Sequence, residues 1–209
     1  VDHHGARVHH RYMDYKKDSV WVAITLAGGQ IQETKDNAGI TRIASLILRQ
    51  PATSRLDSTA IEDLMTGKKI RVGGRGDDDS FSIMVSGSPE ELEDGLRLAY
   101  ALLTDGKLEQ SAFDNWKKGA LRDYEARSKQ PQFVGFDTFL RTISNNDPRR
   151  IILMSPELIE RQSVPAAQAW FDQLCRTAPL EVAIVGDMQL DAVMPLIEKY
   201  VGALPARPR

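Results

Sequence analysis

The sequence predicts an α+β fold. Two strand-length apolar runs, 20–26 and 182–185, lie far apart in the chain. Two further strand-like runs, 70–74 and 80–86, are joined by a glycine- and aspartate-rich stretch, 73–79, which is a hairpin signature. Helical periodicity fills most of the rest. The order β-β-α-α-β-β-α-α, more helix, then β-α mixes hairpins with helices. That argues against a doubly wound parallel sheet.

Each element follows from its local pattern. Residues 6–15 alternate loosely and predict a first strand. The run 20–26 predicts a second, closed by Gly28 and Gly29. Across 39–49, Ile40, Ile43, Ala44, Ile47 and Leu48 recur at helical spacing on one face, and Pro51 stops the helix. Asp57 and Ser58 suit the cap of a short helix over 59–68. After the hairpin strands, Ser88 at the N-cap, Pro89 at the first helical position and Glu91 three residues past the cap announce another helix. Leu92, Leu96, Ala99, Leu102 and Leu103 form its inward stripe, and Gly106 ends it. A longer helix over 110–129 carries Phe113, Trp116, Ala120, Leu121 and Tyr124. Helical segments are expected over 133–143, 156–163 and 165–176. The run 182–185 reads as a buried strand, and 189–201 as a last amphipathic helix. The expected product is one sheet with helices mainly on one face, with 182–185 among its most buried strands.

The 209 residues suffice for a core as one domain, or as one domain of two similar lobes. With 27 basic and 29 acidic residues the charge is nearly balanced, which gives no argument for nucleic acid or an anionic membrane as partner. No run approaches the roughly 20 apolar residues of a membrane span. The lone cysteine, Cys175, excludes an internal disulfide framework and sits in an apolar helical pattern, as a small core residue does. No signal peptide is visible. Residues 1–5 and 206–209 read as terminal linkers around a unit spanning 6–205. The chain is expected to be a piece of a longer protein, so a targeting signal would lie elsewhere.

Few residues suggest chemistry. The histidines are His3, His4, His9 and His10. Adjacent strand residues point to opposite faces, so His9 and His10 do not readily share one ion. These histidines read as terminal and strand-surface residues, with adventitious metal binding as the alternative. Gly73-Gly-Arg-Gly76 lacks the Gly-Lys-Ser/Thr ending of a phosphate loop and leads into a strand. Asp77, Asp78 and Asp79 would repel phosphate and lack the spacing of a calcium loop. With no histidine beyond residue 10, there is no nucleophile–His–acid set for a hydrolase of another mechanism.

A set of landmarks points further. The segment Asn37-Ala-Gly-Ile-Thr-Arg-Ile-Ala-Ser-Leu-Ile-Leu-Arg-Gln50 follows a strand and a loop bearing an acidic residue. Around it stand Leu26-Ala-Gly-Gly29, Gly67-Lys-Lys-Ile-Arg-Val72, Asp147-Pro-Arg-Arg150 with Ser155-Pro-Glu-Leu-Ile159, Ala178-Pro-Leu-Glu-Val-Ala-Ile-Val-Gly-Asp187, and Tyr200-Val-Gly-Ala-Leu-Pro205. In this order, from about Ala6 to Pro205, they resemble one repeat of the pitrilysin/insulinase-like zinc peptidases. The resemblance implies a mixed, largely antiparallel sheet packed against helices.

In active members the first long helix carries H-x-x-E-H. Aligned on Gly39, that motif falls on Arg42-Ile43-Ala44-Ser45-Leu46. Arg42 and Leu46 take the two histidine positions, and Ser45 takes that of the glutamate base. At the family's spacing the third ligand falls near Arg122, in Leu121-Arg-Asp-Tyr-Glu125, so Glu125 is a candidate relic. Arg42, Ser45 and Arg49 lie opposite the apolar stripe. They are expected on a solvated or interdomain face, or paired with Glu125 or Asp123.

The resemblance implies a non-catalytic repeat that binds no zinc itself and helps other repeats of the same polypeptide enclose a peptide. Zinc would sit in an active repeat of the parent. The edge strand Ile70, Arg71, Val72 is the candidate peptide contact, by strand addition. The alternatives for that strand are packing on another repeat, or an edge guarded by Lys68, Lys69 and Arg71. The alternative function is a scaffold or peptide-binding subunit of a wholly inactive family member. A periplasmic parent is favoured on the resemblance alone.

Overall fold

The computed structural model describes residues 2–3, 6–150 and 153–206. The strands are β1 (Asp2–His3), β2 (Ala6–Tyr12), β3 (Val20–Ala27), β4 (Ile70–Gly76), β5 (Ser80–Gly87) and β6 (Leu180–Gly186). The helices are α1 (Ile40–Ala44), α2 (Leu46–Arg49), α3 (Ser58–Met65), α4 (Leu92–Asp105), α5 (Gln110–Arg127), α6 (Pro131–Ile143), α7 (Pro156–Arg161), α8 (Val164–Thr177) and α9 (Leu190–Tyr200). The expected class is therefore present. His4 lies outside the described residues, as do parts of both expected linkers.

The strands form one sheet in the order β1-β2-β6-β3-β5-β4. β2 and β6 are parallel, and every other neighbouring pair is antiparallel. Period-2 alternation sets which face is covered. Val20, Val22, Ile24 and Leu26 of β3, Phe81, Ile83 and Val85 of β5, and Val182 and Ile184 of β6 are all buried under the helices. Phe171 of α8 packs edge-on against Phe81, ring centroids 5.6 Å apart. Leu92, Leu96, Ala99 and Leu102 of α4 are also buried, as the stripe requires. Cys175 is a buried residue of this core.

Local details differ from the sequence reading. The run 182–185 is not buried throughout: Ala183 and Val185 are exposed, because the helices cover one face of β6 only. The first strand ends at Tyr12 rather than at residue 15. The hairpin strands are longer than expected, leaving only 77–79 as the turn, closed by the Asp77 N–H on the Ser80 carbonyl at 2.7 Å. Ser88 caps a short 3-10 turn, Pro89–Glu91, ahead of α4. Glu91 does not close a capping box. Its carboxylate accepts the Lys69 N–H at 2.5 Å instead, because the end of the hairpin lies beside it.

The helix expected over 39–49 is divided at Ser45 into α1 and α2. Its apolar stripe faces inward as anticipated, with Ile40, Ile43, Ile47 and Leu48 all buried. β4 lies at the outer edge of the sheet, beside α2.

Candidate functional site

The segment Arg42–Leu46, on which the resemblance aligns the zinc motif, lies where α1 and α2 meet the edge strand β4. Gly39 precedes α1 with a left-handed backbone, φ 87°, a conformation that favours glycine. The buried Glu33 carboxylate accepts the Gly39 N–H at 2.7 Å and the Thr41 N–H at 2.9 Å. It thereby satisfies donors that the first helical turn leaves orphaned, at the positive end of the helix. An acidic residue shortly before a glycine and an apolar-periodic run was the sequence signal for this contact, although its partners were not legible there.

Ser45 is 1% exposed. For Ser45 this corrects the expectation that Arg42, Ser45 and Arg49 share a solvated or interdomain face. Ser45 Oγ donates to the Thr41 carbonyl at 2.7 Å and accepts the Gly76 N–H of β4 at 2.8 Å. The side chain is small enough to sit between helix and strand, and both its polar demands are met there. Arg42 is half-buried, and Arg49 alone of the three is exposed. Burial pushes the Arg42 guanidinium below its usual range, opposed by the charge of Glu33 and reinforced by that of Arg49. Leu46 is partly buried against the core.

Across from Arg42, α5 contributes Trp116, Gly119, Ala120 and Asp123 to one small cavity. Glu125 is not among them. Its side chain is 76% exposed and pairs with Lys129 at 3.8 Å. The two residues lie on different sides of the helix, so Asp123, not Glu125, is the carboxylate nearest in kind to the expected relic. Asp123 is itself paired with Arg127 at 2.5 Å.

A catalytic zinc site needs three deprotonated protein ligands and an open position for water. A guanidinium, an already engaged hydroxyl and an isobutyl group do not fit that requirement. Among the described residues, no three His, Cys, Asp or Glu side chains gather as a metal site. His9 and His10 point to opposite faces of β2: His9 lies 3.4 Å from Glu181, whereas His10 Nε2 meets the Met188 carbonyl at 2.9 Å.

β4 presents an outer edge. Asp77 N–H bonds back to Ser80, Ser88 N–H bonds to the Lys69 carbonyl, and Gly76 N–H turns outward to Ser45. Strand alternation then places the backbone polar groups of Ile70, Val72 and Gly74 facing away from β5. The Ile70 side chain is buried, Val72 is half-buried and Arg71 is exposed. Any peptide contact by Ile70 and Val72 would therefore be mainly through the backbone.

Over 99% of its length the chain superposes on the periplasmic protease PqqL from Escherichia coli, with a TM-score of 0.85 and 16% sequence identity. The fold is that of an M16 peptidase repeat. An inactive domain of peptidase M16 from Pseudomonas fluorescens matches 98% of the chain, with a TM-score of 0.80 and 16% identity. In sequence, the chain is 22% identical over 184 residues to subunit 1 of the mitochondrial cytochrome b-c1 complex of Caenorhabditis elegans. No family model matches it. The chain spans 39% of that subunit, 23% of PqqL and 50% of the Pseudomonas domain. Among the described residues, no helix is long and apolar enough to cross a membrane.

Proposed function

We propose that residues 6–205 are a non-catalytic repeat of a larger pitrilysin/insulinase-like zinc metallopeptidase. The repeat walls the space that holds the peptide, and another repeat of the same polypeptide carries the zinc. The observation that carries this reading is the motif helix. Aligned on Gly39, Arg42, Ser45 and Leu46 take the ligand and base positions of the family motif, and Ser45 is locked to the edge strand. The likeness to a periplasmic protease supports a periplasmic parent.

The proposed peptide contact is the outer edge of β4 at Ile70, Arg71 and Val72, by strand addition. Val72→Pro tests it. The Val72 N–H faces away from β5, so proline removes a docking donor without removing a ladder bond. Binding of an unstructured peptide should fall while the melting temperature stays close to wild type. Unchanged peptide binding would remove the edge from the proposal.

The likeness to a cytochrome b-c1 subunit favours a second reading, a scaffold subunit of a wholly inactive protein. Peptide cleavage separates the two. The full polypeptide should cleave unstructured peptides in a chelator-sensitive way, and the 209-residue chain should not. Inactivity of both would favour the scaffold. Chelator-sensitive turnover by the pure chain would sink both readings.

A further inference from the structure

The cations along the edge strand are unequally matched. Lys68 pairs with Asp94 at 2.6 Å, and Arg75 with Asp77 at 2.7 Å. Lys69 and Arg71 are exposed and, among the described residues, make no ion pair. They stand two residues apart, so their side chains leave the strand on the same side. The ladder with β5 holds both in place. The Lys69 carbonyl accepts the Ser88 N–H at 2.9 Å, and Arg71 is the register partner of Ser86. On the β5 side each cation therefore has a serine for its neighbour. The nearby Glu91 carboxylate is taken up by the Lys69 backbone N–H.

The same register fixes what an added strand would meet. Laid antiparallel on this edge, a peptide makes its hydrogen-bonded pairs at Ile70 and Val72, whose backbone groups face away from β5. Opposite Lys69 and Arg71 it makes the other kind of pair, in which the side chains approach most closely. Between those two positions its side chain turns to the covered side, beside the buried Ile70. Opposite charges across such a pair stabilise it, and like charges destabilise it. A second copy of this edge would set cations against cations. A strand bearing carboxylates would meet both cations on their unmatched side.

We propose that the β4 edge selects extended peptides with acidic residues at alternate positions and an apolar residue between them. The two carboxylates face Arg71 and Lys69, and the apolar side chain lies beside Ile70. This rests on the strand addition proposed above and names the class of peptide that it takes. Ile70 and Val72 supply the backbone pairing, and Lys69 and Arg71 set the specificity. The contact uses only the margin of the sheet and leaves its helix-free face to the rest of the polypeptide.

The test is fluorescence anisotropy with three labelled, end-capped peptides. The first is Ser-Thr-Glu-Val-Glu-Thr-Ser, and the second has Lys for both Glu. The third, Ser-Thr-Glu-Glu-Val-Thr-Ser, keeps the composition but puts its carboxylates on opposite sides of an extended strand. The first should bind at least about fivefold more tightly than either of the others and weaken with salt. Lys69→Glu with Arg71→Glu should reverse the preference between the first and second, with a melting curve to check the fold of these surface variants. Val72→Pro should weaken every peptide that binds. If it does, yet the Glu and Lys peptides bind equally, strand addition stands and the acidic selectivity is overturned. Equal affinity for the two Glu arrangements would overturn the pairing register and the proposal with it. Binding of the first peptide unchanged by Val72→Pro would overturn the strand addition itself. Binding of none would make Lys69 and Arg71 guards of an edge that pairs with nothing, and overturn both.

Discussion

Ser45 Oγ accepts the backbone N–H of Gly76 at 2.8 Å, tying the motif helix to the last residue of the edge strand. The same oxygen donates to the Thr41 carbonyl at 2.7 Å. Ser45→Ala removes an acceptor and leaves a strand-end N–H without its partner. The expected cost is about 1–2 kcal/mol in urea unfolding, with faster amide exchange at Gly76. Wild-type exchange there would show that the contact does not hold the strand.

Rebuilding the zinc motif should fail. Arg42→His, Ser45→Glu and Leu46→His together place two imidazoles on the helix, but the Glu125 side chain is 76% exposed and pairs with Lys129. The new Glu must also enter a buried position and breaks the link to Gly76. Calorimetry with zinc should give weak binding at best, and melting should drop. Tight binding that disappears with Glu125→Ala would mean that Glu125 reaches the site.

Val182 is fully buried in β6, between β2 and β3. Val182→Asp puts an unpaired carboxylate under the helices and should cost at least about 3 kcal/mol. Val185→Asp, on the open face, should cost far less. Equal melting losses for the two would contradict the one-sided covering of the sheet.

The Asp147 carboxyl is held at about 2, below its ordinary 3.8, first by the Arg149 guanidinium and then by the Arg149 backbone N–H. A folded-state value below the unfolded one means that the ionised form favours folding. This stabilisation is fully present above about pH 4 and disappears as the pH falls toward about 2. Asp147→Asn should therefore destabilise at pH 7, with the difference from wild type closing by about pH 2. A gap that stays constant with pH would detach the effect from this carboxylate.

Much of the molecule was legible in the sequence, because period-2 and period-3.6 patterns record which side of an element is covered. They placed the strands and the inward stripe of Ile40, Ile43, Ile47 and Leu48. What periodicity cannot record is the partner on the other side. Ser45 falls opposite the apolar stripe, yet it is buried, because β4 folds back across it from 31 residues away. Glu125 was expected beside Arg42 or Arg49, but its side chain is exposed and paired with Lys129. A four-residue apolar run could not tell that β6 is covered on one face and open on the other. Those outcomes depend on contacts between residues distant in the chain. Local sequence sets the faces, and only tertiary packing decides what each face meets.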